Sequence, residues 1–281
     1  MSGRRLFQRC IAGTFAAALA ACGASLPPSS NGVGAAAARP ESRWIPSTGD
    51  SIQIQYDGKL DLHVAATIFD LDMFDTPASV VAQLHAMKRR VLCYVDVGTW
   101  ENWRPDARKF PKSVLGHPDG HWKGERWLDI RQTAILEPLM AHRLDLCKQK
   151  GFDGVDPDNI DGYQNKTGFP LTGAEQLVYD RWVAKASHDR GLTVDQKNDP
   201  SQIKEFGDAF DFAVDEQCYV QHWCDRLAPY TQRNRLVVDI EYFHDTQRFL
   251  DDTCPEATQN HDTAILKRLQ LTAWILTCKK G

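Results

Sequence analysis

The feature that most constrains this chain is an alternation repeated along its length: a short β-branched or aromatic run, an acidic or polar end, then a helical stretch. Ser51–Tyr56, His63–Phe69, Arg90–Val97, Phe152–Asp158, Leu192–Lys197, Phe210–Glu216, Arg235–Tyr242 and Leu271–Thr277 read as eight strands. Ala78–Lys88, Thr133–Lys150, Thr172–Arg190 and Asp262–Leu269 are amphipathic between them. Strands alternating with helices imply a parallel sheet, and eight of them imply an α/β fold, a single (β/α)₈ barrel of TIM type over residues 44–281. The repeat is one of structure only, because no segment resembles another in sequence. Thr172-Gly-Ala-Glu175 has the form of a capping box, and Gly191 stands just past the helix that the box would open.

The N-terminus lies outside that barrel. Arg4, Arg5 and Arg9 precede a short apolar run, Ile11 to Ala21, too short to span a bilayer, and Leu19-Ala20-Ala21-Cys22 follows. This ending resembles the bacterial lipoprotein box. Residues 1–21 are therefore expected to be a signal peptide and Cys22 the lipidated first residue of the mature chain, with Gly23 after it favouring the outer membrane. Residues 22–43, rich in Ala, Pro, Ser and Gly, read as a flexible tether. Loss of residues 1–21 leaves 30 basic against 37 acidic residues, a formal charge of −7 where the full chain has −4. So acidic a protein is not expected to bind nucleic acid, and it suits a neutral or cationic ligand. Beyond Cys10 and Cys22 there remain Cys93, Cys147, Cys218, Cys224, Cys254 and Cys278. Their even number permits three disulfides in an oxidising compartment. Cys218 with Cys224 and Cys254 with Cys278 are the expected pairs, and Cys93 and Cys147, on a strand and a helix, read as buried thiols.

Gly151–Tyr163 places four aspartates, Asp153, Asp156, Asp158 and Asp161, in a short segment behind a helix. On a strand Gly154, Asp156 and Asp158 share one face, and Pro157 ends the regular ladder near that point, so two acids reach the C-terminal rim where parallel α/β folds build their sites. Asp153 faces the other way, toward helices or backbone. Other strand ends contribute Asp96, Lys197 with Asn198, Asp215 with Glu216, and Glu241 with Tyr242. Asp215 and Glu216 face opposite ways, and Glu216 shares its face with Phe210, Phe212 and Val214, which directs Glu216 into the barrel. An acid-lined mouth with one lysine suits glycosidic cleavage, in which one carboxyl protonates the leaving oxygen and the other attacks carbon or activates water. Asp156 is expected to pair with Lys197 across that mouth. The long connection Gly98 to Asp129 carries Trp100, Trp103, Trp122 and Trp127. Trp100 and Trp103, close to the strand end, are the rings placed to stack on a sugar.

Tyr94-Val-Asp-Val-Gly-Thr-Trp-Glu-Asn-Trp-Arg-Pro-Asp106, Trp127-Leu-Asp-Ile-Arg131, Gly151–Tyr163, Lys197-Asn198 and Asp215-Glu-Gln-Cys218 resemble, in order and spacing, the endo-α-1,4-polygalactosaminidases of glycoside hydrolase family 114. The likeness runs from about Gln53 to Tyr242. Asp215 departs from it where many relatives have asparagine, and Val97-Gly98 where they often have Ala-Gly. The resemblance implies endo-cleavage of α-1,4-linked galactosamine polymers, without metal or other cofactor, by an acid pair that falls on Asp158 and Glu216. Asp96, Trp100, Trp103, Asp156, Lys197, Asn198, Glu241 and Tyr242 are then the candidates for holding the amino-sugar chain, in a protein expected to be a monomer. Rival chemistries fit less well. Chitinase-like barrels would need an acid at Ile160, a calcium loop from Asp156 would meet Asp161 and Thr167 where it wants Gly and Glu, and Pro118 and Gly120 break any helix that could align His117 with His121 on zinc. A surface lipoprotein that binds polysaccharide without cutting it is the non-enzymatic alternative.

Overall fold

The structure, a computed structural model, describes residues 43–278, so the signal peptide, Cys22 and all of the tether but Arg43 lie outside the described residues. Eight parallel strands form one curled sheet: β1 (Ile52–Gln55), β2 (Ile68–Asp72), β3 (Arg90–Asp96), β7 (Gly154–Asp158), β8 (Thr193–Lys197), β9 (Phe212–Glu216), β10 (Val237–Glu241) and β11 (Thr263–Leu266). A ninth, β12 (Leu276–Thr277), runs antiparallel to β11. Within the long connection after β3, the strands β4 (Thr99–Glu101), β5 (Leu115–Pro118) and β6 (Glu125–Leu128) make a small separate sheet in the order β4-β6-β5.

Seven of the eight expected strands are present, the second displaced toward its C-terminal end. The eighth is not where the pattern put it. Thr263–Leu266, expected as part of a helix, is the last parallel strand, and of Leu271–Thr277 only Leu276 and Thr277 are extended, on the antiparallel side. The four-residue run Thr-Ala-Ile-Leu is too short to declare a period, so its register against β10 decides its state: Val238 pairs with Thr263 and Glu241 with Leu266.

Alternation sorts the strand residues into two cores. Ile52, Ile54, Ile68, Leu92, Phe212 and Val214 point inside the curl with Val238, Ile240 and Ile265. Residues of the other parity, among them Phe69, Val91, Val155 and Val194, pack outward against α1 (Ala78–Ala86), α2 (Thr133–Lys150) and α3 (Gly173–His188). Each fully buried aliphatic side chain here contributes about 1.5–3 kcal/mol. The helix α2 buries Leu136, Met140, Arg143, Leu144 and Cys147 at helical spacing and stops at Gly151, whose φ of 91° is left-handed. At the other end of the pattern, Thr172 and Glu175 close the expected capping box on α3. The backbone ladder runs from β1 to β11 without pairing those two, and side chains bridge the seam. Thr263 Oγ1 donates to Asp50 O (2.9 Å), and Lys267 Nζ donates to Gln53 Oε1 (3.0 Å).

Cys218 is bonded to Cys224 and Cys254 to Cys278, as the spacing suggested. Cys93 and Cys147 are also bonded, and are not the free buried thiols expected. Cys93 lies on the outward parity of β3 and Cys147 on the inward stripe of α2, so strand and helix bring together two sulfurs that are 54 residues apart in sequence. Asp153 also faces outward, where it accepts from Arg90, His85 and the Val91 N–H.

Candidate active site

Three neighbouring strands each end on a charged residue that points into the mouth of the curl: Asp158 on β7, Lys197 on β8 and Glu216 on β9. The next residue in each case, Asn159, Asn198 or Gln217, has a positive φ of 63°, 52° or 58°. Asparagine tolerates the left-handed region better than most residues, and the sharp bend stops the ladder and leaves the preceding side chain at the rim. Close approach is needed on the β3 side. A Cβ on Gly98 would meet the Asn159 carbonyl oxygen at 1.8 Å, so only glycine lets the two strand ends lie together.

Lys197 is almost fully enclosed, and its Nζ lies 3.1 Å from Asp158 Oδ1 and 3.1 Å from Glu216 Oε2. One ammonium therefore holds both carboxylates, and those oxygens are no more than twice 3.1 Å apart. The remaining oxygens are held as well. Tyr94 Oη donates to Asp158 Oδ2 (2.7 Å) and Asn159 N to Asp158 Oδ1 (2.9 Å). Tyr242 Oη donates to Glu216 Oε1, Asn198 Nδ2 reaches Glu216 Oε2 at 3.4 Å, and Asn198 Oδ1 accepts the Glu216 N–H (2.8 Å).

Burial alone would push the Asp158 carboxyl up, but the Lys197 charge, with the Tyr94 and Asn159 hydrogen bonds, outweighs it and holds Asp158 below its ordinary value. Burial would likewise lower Lys197, yet Asp158, Glu216 and Asp156 raise it well above the lysine range, so it stays an ammonium. At the floor of a cleft an ionised aspartate can stabilise a developing positive charge, while the permanent cation beside it keeps a second carboxyl fixed.

The cleft above them has a volume of about 530 Å³. Of the residues singled out in the sequence, Trp103, Asp158, Lys197, Asn198, Glu216 and Tyr242 line it together. Trp103 is half exposed there. Four others lie behind the wall. Trp100 spends its ring N–H on Ala107 O (3.0 Å) and braces the loop. Asp96 accepts from Gly98 N, Thr99 N and Asn159 Nδ2 (3.1, 2.7 and 3.1 Å) and ties β3 to the bend after Asp158. Asp156 is fully buried one layer below, where Tyr56 Oη reaches both Asp156 Oδ2 (2.9 Å) and Asp70 Oδ2 (2.8 Å). The ion pair expected between Asp156 and Lys197 is replaced by the bridge from Lys197 to Asp158 and Glu216. Glu241 has the outward parity of β10, opposite to Ile240 and Tyr242, and accepts from Val220 N (3.0 Å) while Asp239 accepts from Cys218 N (2.8 Å). Those two acids, with the Cys218–Cys224 bond, hold the segment that follows Glu216.

Sequence reasoning passed over Tyr94, Glu101 and Glu125 as site residues, and it ranked Trp122 and Trp127 below Trp100, although both line the cleft and Trp100 does not. Tyr94 was legible, since it shares the inward parity of Leu92 on β3. The others become neighbours of the cleft only through the small sheet, whose pairing no local pattern announces.

The sequence profile of glycoside-hydrolase family GH114 matches residues 33–281. The chain is similar to the crystal structure of Aspergillus fumigatus Ega3 in complex with galactosamine, with 34% identity and a TM-score of 0.80 over 84% of this chain and 98% of that one. The glycoside hydrolase domain of PelA from Pseudomonas aeruginosa shares the fold at 12% identity, with a TM-score of 0.65 over 82% of this chain and 99% of that one. No curated protein sequence matches.

Proposed function

The chain belongs to glycoside-hydrolase family GH114, and from that membership we propose that it is an endo-acting hydrolase of α-1,4-linked galactosamine polymers, with Asp158 and Glu216 as its two catalytic carboxyls. One observation carries this reading: a single ammonium, Lys197 Nζ, contacts both acids at the floor of the cleft. The bound galactosamine of Ega3 supports the sugar class. In this reading the curled sheet works as a (β/α)₈ barrel with a side-chain-bridged seam.

Asp158, held ionised, is the nucleophile, and Glu216 is the general acid and then the general base. The N–H directions of one ammonium diverge at a tetrahedral angle, so two acceptors on it sit about 5 Å apart. That matches the spacing of about 5–5.5 Å in retaining enzymes and leaves no room for the water of an inverting one. Glu216 protonates the glycosidic oxygen while Asp158 attacks the anomeric carbon; the leaving chain departs as an alcohol. Glu216, now a carboxylate, then deprotonates the water that displaces Asp158. Asn198 and Tyr242 fix Glu216 and border the sugar, and Trp103 offers a face to it.

Charge supports the choice of an amino sugar. Nine acids line the cleft, among them Asp57, Asp75, Asp119 and Asp161, against Arg104 and Lys197, each already paired to acids. Polymer bearing free amines is expected to be cut at least about tenfold faster than fully N-acetylated polymer, and the advantage should shrink as salt rises. Mass spectrometry of products from both polymers checks this, and equal rates would sink the choice.

We also infer from the lipoprotein box that the enzyme is held at the outer membrane through Cys22. Cys22→Ser is expected to leave the membrane fraction and to lose fatty-acid label; label on that variant equal to the wild type's would refute the anchor.

A further inference from the structure

Residues Glu101 and Glu125 stand directly opposite each other in the β4–β6 pair, on the face that lines the cleft. Like charges in that position oppose folding. Arg104 relieves Glu101 by donating to its Oε2 (2.6 Å), and shares its other end with Asp72 (2.6 Å). Glu125 receives no such help. The residue is only 8% exposed, and among the described residues the one hydrogen-bonding neighbour of its carboxyl is the Thr99 hydroxyl at 3.3 Å. That hydroxyl has a single proton, committed to the much closer Asp96 Oδ2. One carboxyl oxygen from each of Asp96, Glu101 and Glu125 lies within 4.8 Å of the other two. Glu125 is thus a buried carboxyl without a cation among the described residues, aimed into the cleft, next to two more acids and within electrostatic reach of Asp158.

We propose that Glu125, backed by Glu101 and Asp96, is the subsite that takes the protonated 2-amine of a hexosamine lying over Asp158. This rests on the hydrolase reading above. It goes further in naming the side chain that tells an amine from a hydroxyl or an acetamide. An ammonium brings the positive charge that Glu125 lacks, Glu101 having Arg104 already, and donates hydrogen bonds that an ionised Glu125 accepts. Burial, then Asp96, Glu101, Asp158 and Asp119, push the Glu125 carboxyl up to about 9, so it is protonated near neutral pH, and a cation beside it favours release of that proton. An acetamide brings no charge and adds bulk against the wall formed by Trp127.

Glu125→Gln keeps the shape and fixes the position in the neutral state that burial already favours in the free protein, so it should melt no lower than the wild type. Titration calorimetry with galactosamine and with galactose reads the subsite. The wild type should prefer galactosamine, and Glu125→Gln should lose roughly tenfold or more of its galactosamine affinity with galactose unchanged. Several results would overturn the assignment: no galactosamine preference in the wild type, undiminished preference in the variant, or equal loss for both sugars. So would calcium chloride alone titrating into the wild type and not into the variant, which would make the cluster a metal site. Hydrolysis is measured apart from binding. A wild type that shows the preference but leaves the polymer uncut removes the hydrolase reading and keeps the subsite.

Discussion

Glu216→Gln and Asp158→Asn each lower turnover of a galactosamine polymer by about 10²–10⁴, the range for losing a general acid or a nucleophile. Neither change removes a side chain from the core: both residues sit at the rim and keep their hydrogen-bonding outline as amides. Binding of polymer and thermal midpoint should therefore stay near those of the wild type. The two substitutions act on one unit, so the double variant is expected to be little worse than either single one. Initial rates on reducing-end release check this. Near-normal turnover in either single variant would place the acid pair elsewhere on the rim.

Lys197→Met carries the second large effect, about 10²-fold in turnover near neutral pH, although Lys197 transfers no proton in this account. It is a positioning residue. Without it Asp158 and Glu216 face each other with no cation between, while burial of Asp158 is unchanged. The balance that now lowers the Asp158 pKa then tips upward. The sign follows from the state required. A nucleophile must be ionised, so activity falls as pH drops through the pKa of Asp158, and raising that pKa moves the acid limb of the kcat/KM profile to higher pH. A variant that loses activity with its acid limb unmoved would mean that Lys197 acts through the fold or on the substrate alone.

Much of this is legible in the sequence. The parity of Gly154, Asp156 and Asp158, and of Phe212, Val214 and Glu216, fixes which acids enter the mouth, because a strand offers only two faces. Lys197 falls at the end of its own strand by the same logic. What stayed hidden depends on contacts between distant segments. That Lys197 bridges Asp158 and Glu216, with Asp156 left a layer below, depends on side-chain reach across three strands. Cys93 meets Cys147 only once α2 has docked, and Glu101 meets Glu125 only in the register of a sheet built inside a loop. The last parallel strand is not Leu271–Thr277, although that segment has the richer β composition. Thr263–Leu266 has only four residues to show, and its parallel pairing with β10 is a long-range fact.

The account stands or falls on Asp158 and Glu216 acting as one closely spaced pair. Proton NMR of the first products released from an α-1,4-galactosamine polymer tests this most directly, recorded before the new reducing ends mutarotate. A nucleophilic Asp158 about 5 Å from Glu216 gives two displacements, so the α-anomer appears first and the β-anomer grows in later. The β-anomer appearing first would mean direct attack by water, an acid pair set farther apart, and no covalent role for Asp158.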